Sequence, residues 1–73
     1  MKFGELKLGQ KFKFASPERQ AEGECTIKEM CFCGCNRPAF YQDSLNREFL
    51  VGIGKSIQDI EVEAVNGQAH NLL

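Results

Sequence analysis

Residues 11–14, Lys-Phe-Lys-Phe, alternate strictly between charge and aromatic ring, so an extended chain carries Phe12 and Phe14 on one face and Lys11 and Lys13 on the other. The same two-residue period recurs in three further segments, and a fourth reads as a strand by its residue types. In CTIKEM, Cys25 and Ile27 point inward and Thr26 and Lys28 outward. RPAFYQ carries Phe40 and Tyr41 on a β-compatible stretch with Pro38 at its start or on an edge. REFLVGIG places Phe49, Val51 and Ile53 on one face, with Gly52 and Gly54 permitting curvature or a bulge. IEVEAV sends Ile60, Val62 and Ala64 inward and Glu61 and Glu63 outward. Five short strands are therefore expected.

The intervening segments read as turns. Phe3 and Leu6 lie three apart with Gly4 and Gly9 around them, which suits one helical turn packed at the domain edge. Ser16-Pro17-Glu18 is a helix start and Gly23 a stop, predicting one or two turns or an extended loop between them. Asp43-Ser44-Leu45-Asn46 is a turn by composition, Lys55–Asp59 a short connector, and Asn66-Gly67 a tight-turn signal before the tail.

Five strands at intervals of roughly ten residues predict an all-β domain, a small five-stranded barrel spanning 1–73 as one unit. Closure removes the open edges a small sheet otherwise exposes. The expected core is Phe12, Phe14, Ile27, Phe40, Phe49, Val51, Ile53, Ile60 and Val62. A long loop after the first strand and a short helical connector before the fifth resemble the SH3-like barrel. The opening segment, with the pattern F-x-x-L-x-x-G-x-x-F carried by Phe3, Leu6, Gly9 and Phe12, resembles the start of small uncharacterised bacterial and phage proteins. That resemblance implies the fold and no activity. Such proteins usually have a short, cysteine-poor second hairpin, and this chain departs from them there.

At 73 residues the core is small, and a metal, a disulfide or a partner subunit is a natural supplement to burial. Hydrophobic residues make up 42% and charged residues 26%, the balance of a globular chain. No apolar run approaches a membrane span, and Glu5 and Lys7 interrupt any signal-like segment, so a cytoplasmic location is expected. The net charge of −1 divides into +3 over residues 1–19 and −4 over 20–73.

Candidate chemistry concentrates in CFCGC, residues 31–35, with Cys25 upstream. Zinc would draw on Cys25, Cys31, Cys33 and Cys35, or on Asp43 or His70 as a fourth ligand. Side chains two apart on a flat strand stand about 6.6–6.8 Å from one another, too far to share a tetrahedral ion unless the backbone turns at Gly34. Cys25 could form a disulfide with Cys33 or Cys35 across a hairpin, while the C-x-x-C spacing of a redox centre is missing. The pattern favours packing: Cys25, Ile27, Cys31, Cys33 and Cys35 share one parity, with Glu29 the only misfit, so the thiols are expected as small hydrophobes and no cofactor is required.

No enzyme signature is present: GKS at 54–56 is too short for a phosphate loop, and His70 has no nucleophile placed beside it. The expectation is a non-enzymatic module that docks a protein partner through its loops and the cysteine hairpin, with Arg37, Tyr41 and Arg47 as contact residues. The alternatives are nucleic-acid binding, zinc-stabilised, through Lys7, Lys11 and Lys13, and a thiol-based metal or redox protein.

Overall fold

The computed structural model describes residues 1–32, 34, 36–52 and 56–65. The strands are β1 (Lys11–Phe14), β2 (Cys25–Met30), β3 (Pro38–Gln42), β4 (Glu48–Leu50) and β5 (Val62–Ala64). They form one antiparallel sheet in the order β4-β3-β2-β1-β5. The class is all-β. Among the described residues β4 and β5 remain the two ends of the sheet, so the structure gives an open sheet where a closed barrel was expected.

Three short 3-10 turns complete the fold, at Phe3–Glu5, Pro17–Glu22 and Ser56–Asp59. The second starts at Ser16-Pro17 and stops at Gly23, whose φ of 67° lies in the left-handed region. The first is held against the sheet by its own backbone: Phe3 N donates to Ile60 O at 2.8 Å and Val62 N to Met1 O at 2.7 Å. Lys2 also bridges to Glu61. Residues 1–3 thus cover the outer side of the β5 edge at its start.

The inner face of the sheet and the first turn bury Phe3, Leu6, Phe12, Phe14, Cys25, Ile27, Tyr41 and Val62. Phe49, Val51 and Ile60 pack on this core half-buried, and Ile53 lies outside the described residues. Phe3 is the hub. Its ring meets those of Phe12, Phe14 and Tyr41 at centroid distances of 5.6, 6.1 and 5.8 Å, two edge-on and one stacked. Phe40 was expected inside but is half-buried on the opposite face, and Tyr41 takes the core position. Register decides this: Tyr41 stands opposite Ile27 on one side and Phe49 on the other, and Phe40 faces Glu29 and Leu50.

The turn after β3 is built by Asp43. Its Oδ1 accepts from the amides of Leu45 (3.0 Å) and Arg47 (2.8 Å), and its Oδ2 from Arg47 Nε (2.8 Å). Asn46 adopts a φ of 66°, giving the three-residue hairpin loop 44–46 its left-handed final position. Between Ser56–Asp59 and the sheet, buried Gln58 donates through Nε2 to Pro38 O and Gly52 O, each at 3.1 Å. Among the described residues no helix is long and apolar enough to cross a membrane.

Candidate functional site

The β2–β3 hairpin departs from regular pairing where the sequence pattern misfits. Ile27 pairs with Tyr41, Glu29 with Phe40 and Met30 with Pro38. Lys28 is therefore an extra residue on β2, and Ala39 on β3 restores the register. The bulge leaves Lys28 and Glu29 both in solvent and returns Met30 to partial contact with the core. Beyond it Cys31 N donates to Arg37 O at 2.8 Å, and the chain returns antiparallel as β3; Gly34 has a φ of 83° and Asn36 of 62°.

The reversal leaves Phe32 99% exposed. Leu8, 64% exposed, is brought beside it by the loop before β1, where Gly9 N donates to Ile27 O and Ile27 N to Gln10 O. Leu8, Lys28, Glu29, Met30 and Phe32 line a shallow cleft of about 270 Å3. Three apolar side chains form its body, and a base and an acid stand beside one another on its rim.

The cysteines divide. Cys25 is a free thiol in the core, at the far end of β2 from the hairpin tip, about 20 Å away by strand rise. Burial, followed by the charges of Glu22, Asp43 and Glu24, pushes its pKa up to about 12. A thiol so protonated is a poor nucleophile at neutral pH. Its Sγ lies 3.5 Å from Gly23 O, as a weak donor. Cys25 is thus apart from any site the hairpin cysteines build, and the pairing with Cys33 or Cys35 is not made. Cys31 is disulfide-bonded, not a free packing thiol. Cys33, Cys35 and His70 lie outside the described residues. Among the described residues no three His, Cys, Asp or Glu side chains converge as a metal site.

The expected contact residues do not form one patch. Tyr41 is 2% exposed and belongs to the core, its hydroxyl donating to Glu22 Oε1 at 2.7 Å. Arg37 and Arg47 flank opposite ends of β3, about 17 Å of extended chain apart. Arg47 is engaged with Asp43. Lys7, Lys11 and Lys13 are all exposed; Lys13 stands across the strands from Glu63, and Lys11 Nζ lies 3.5 Å from Thr26 Oγ1. Among the three, Lys13 is thus the one with an acid as its cross-strand neighbour.

Two further clefts are polar. One, of about 330 Å3, is lined by Lys13, Phe14, Ala15, Gln20, Gly23 and Glu63. The other, of about 170 Å3, lies between Lys2, Gly4, Glu5, Arg37, Gln58 and Asp59. Gln58 Oε1 beside it is buried without a hydrogen-bond partner and packs against Gly4.

Phe32 and Leu8 were not singled out from the sequence. The parity that turns the cysteines of CFCGC one way turns Phe32 the other, and that was the available signal. Nothing comparable marks Leu8, whose neighbourhood depends on the Gly9–Ile27 hydrogen bond. No protein-family model matches the chain, and comparison with curated proteins and with solved structures gives no significant match.

Proposed function

We propose that this protein is a small non-enzymatic binding module, built on an SH3-like arrangement of strands, that docks a protein partner at the tip of its β2–β3 hairpin. The observation that carries the reading is the full exposure of Phe32 next to Leu8 and half-buried Met30. A fully solvated phenyl ring beside further apolar surface, on a domain with so small a core, is the anchor type that protein interfaces use. The strand order, with β1 between β2 and β5, supports the SH3-like arrangement. The contact set moves accordingly, from Arg37, Tyr41 and Arg47 to Leu8, Lys28, Glu29, Met30 and Phe32. Nucleic-acid binding is less well supported, because the chain is acidic overall and Lys13 stands opposite Glu63.

The test is site-specific photocrosslinking in cells that express the full chain, with p-benzoylphenylalanine placed at Phe32 or, as a control, at exposed Leu50. Protein adducts from position 32 and none from position 50 are expected. Nuclease-sensitive adducts, or equal adducts from both positions, would overturn the reading.

A further inference from the structure

The cleft carries a feature that narrows the identity of its partner. Lys28 and Glu29 are consecutive, both exposed by the bulge in β2, and both line the cleft that Leu8, Met30 and Phe32 fill with apolar surface. A surface that recognises an unrelated basic or acidic partner is expected to carry one sign of charge. This rim carries one of each, side by side, around a projecting ring and the groove next to it. Such a patch is complementary to itself under a two-fold rotation, the symmetry of the commonest homodimers.

We infer that the hairpin-tip cleft seats a second copy of this chain. The two copies meet antiparallel, so that Lys28 of each lies against Glu29 of the other, and each Phe32 ring covers the Leu8–Met30 surface of its mate. The rotation brings together two opposite-charge pairs and no like-charge pair, which fixes orientation as well as attraction. A net charge of −1 gives the copies little reason to repel. The exposed apolar area, essentially one phenylalanine and most of a leucine per copy, sets the strength. It places the contact below about 1,200 Å2 in total, the range of weak and reversible association, with a dissociation constant of roughly micromolar to millimolar. The inference rests on the docking reading and names its partner.

Sedimentation equilibrium of the full chain over a range of concentrations tests it. A monomer–dimer equilibrium is expected. Phe32→Ser and Lys28→Glu should each raise the dissociation constant about tenfold or more, the first by removing the anchor and the second by placing two like-charge pairs across the axis. The double exchange Lys28→Glu with Glu29→Lys recreates both pairs and should return the constant to within about threefold of the parent, a rescue that only self-recognition predicts. All three positions are exposed or on the rim, and thermal melts of each variant establish that it is folded. A wild-type chain that stays monomeric at about 1 mM, a dimer unmoved by Phe32→Ser, or a double exchange as weak as Lys28→Glu alone overturns the inference. If the chain is monomeric while position 32 crosslinks to a different protein, the second-copy assignment falls and the docking reading stands. If it is monomeric and position 32 traps no protein, both fall.

Discussion

Tyr41 donates its hydroxyl proton to Glu22 Oε1 at 2.7 Å, tying the centre of the aromatic core to the loop after β1. The other oxygen of the same carboxylate lies 3.5 Å from Arg19 Nη1, and the Arg19 guanidinium sits 5.1 Å above the Phe14 ring. A polar chain therefore runs from the core to the surface with each member partnered. Tyr41→Phe keeps the ring and deletes the donor, leaving a half-buried carboxylate short of one bond. A loss of about 1–3 kcal/mol in urea denaturation at neutral pH is expected. Glu22→Gln, which can still accept from Tyr41, should lose less.

Cys25 makes stability depend on alkaline pH. Its pKa rises from 9.0 in the unfolded chain to about 12 in the fold. Between those values the unfolded chain binds fewer protons than the folded one, so stability is fully present below pH 9 and falls as pH climbs towards 12. Burial and the hydrogen bond to Glu22 raise Tyr41 as well, which adds to the fall in the same direction. Urea midpoints measured between pH 8 and pH 11 should decline, and Cys25→Ser should flatten the profile. Parallel profiles for the two proteins would show that the thiol stays ionisable in the fold.

At the acid end the group to watch is Asp43. Burial alone would raise its pKa, but the amides of Arg47 and Leu45 and the Arg47 guanidinium outweigh burial and hold it below the ordinary carboxylate range. The stability it contributes is present above the unfolded carboxylate pKa and is lost as pH falls through the lower folded value. Protection factors at Leu45 and Arg47, taken against the intrinsic exchange rate at each pH, should fall in acid before those in β1 and β2 do. Asp43→Asn keeps an oxygen for both amides and should protect the turn better than Asp43→Ala. Equal exchange in the two variants would remove Asp43 from this role.

Gly23 couples the end of the second 3-10 turn to the β3–β4 loop. Glu22 O accepts from Ser44 N at 3.0 Å, and a Cβ on Gly23 would stand 2.6 Å from Ser44 Oγ and 3.0 Å from Ser44 Cβ. Gly23→Ala meets that contact and the strain of a φ of 67° together. A loss of about 2–3 kcal/mol is expected, part of which Ser44→Gly should restore by removing the contact and not the strain. No recovery in the double variant would assign the whole cost to backbone conformation.

The strands were legible because alternation is a property of single segments, and Lys11–Phe14 or Ile60–Val65 declare their faces without help from neighbours. Tyr41 shows where that ends. Phe40 and Tyr41 are adjacent aromatics, and only the pairing of Tyr41 with Ile27 and Phe49, together with a carboxylate in reach of its hydroxyl, decides which goes inside. Glu29 broke the parity of β2 for a reason local to the sheet: the extra residue Lys28 resets the faces beyond it. The sequence left open whether the chain turns at Gly34, while the exposure of Phe32 and its approach to Leu8 depended on contacts between segments some twenty residues apart.

The strap formed by residues 1–3 has a consequence for how the protein is made. A ribosome delivers Phe3 ahead of every strand of the sheet, yet its amide bonds to Ile60 and its ring packs on Phe12, Phe14 and Tyr41. The strand it covers emerges last among the five, and Met1 and Val62 are 61 residues apart in the chain. The Phe3 ring can meet partners in β1 and β3 as they emerge, but its amide finds Ile60 O only when the segment leading into β5 is out. Closure of this strap is a long-range step that follows the hairpins, because its backbone bonds are made to Ile60 and Val62.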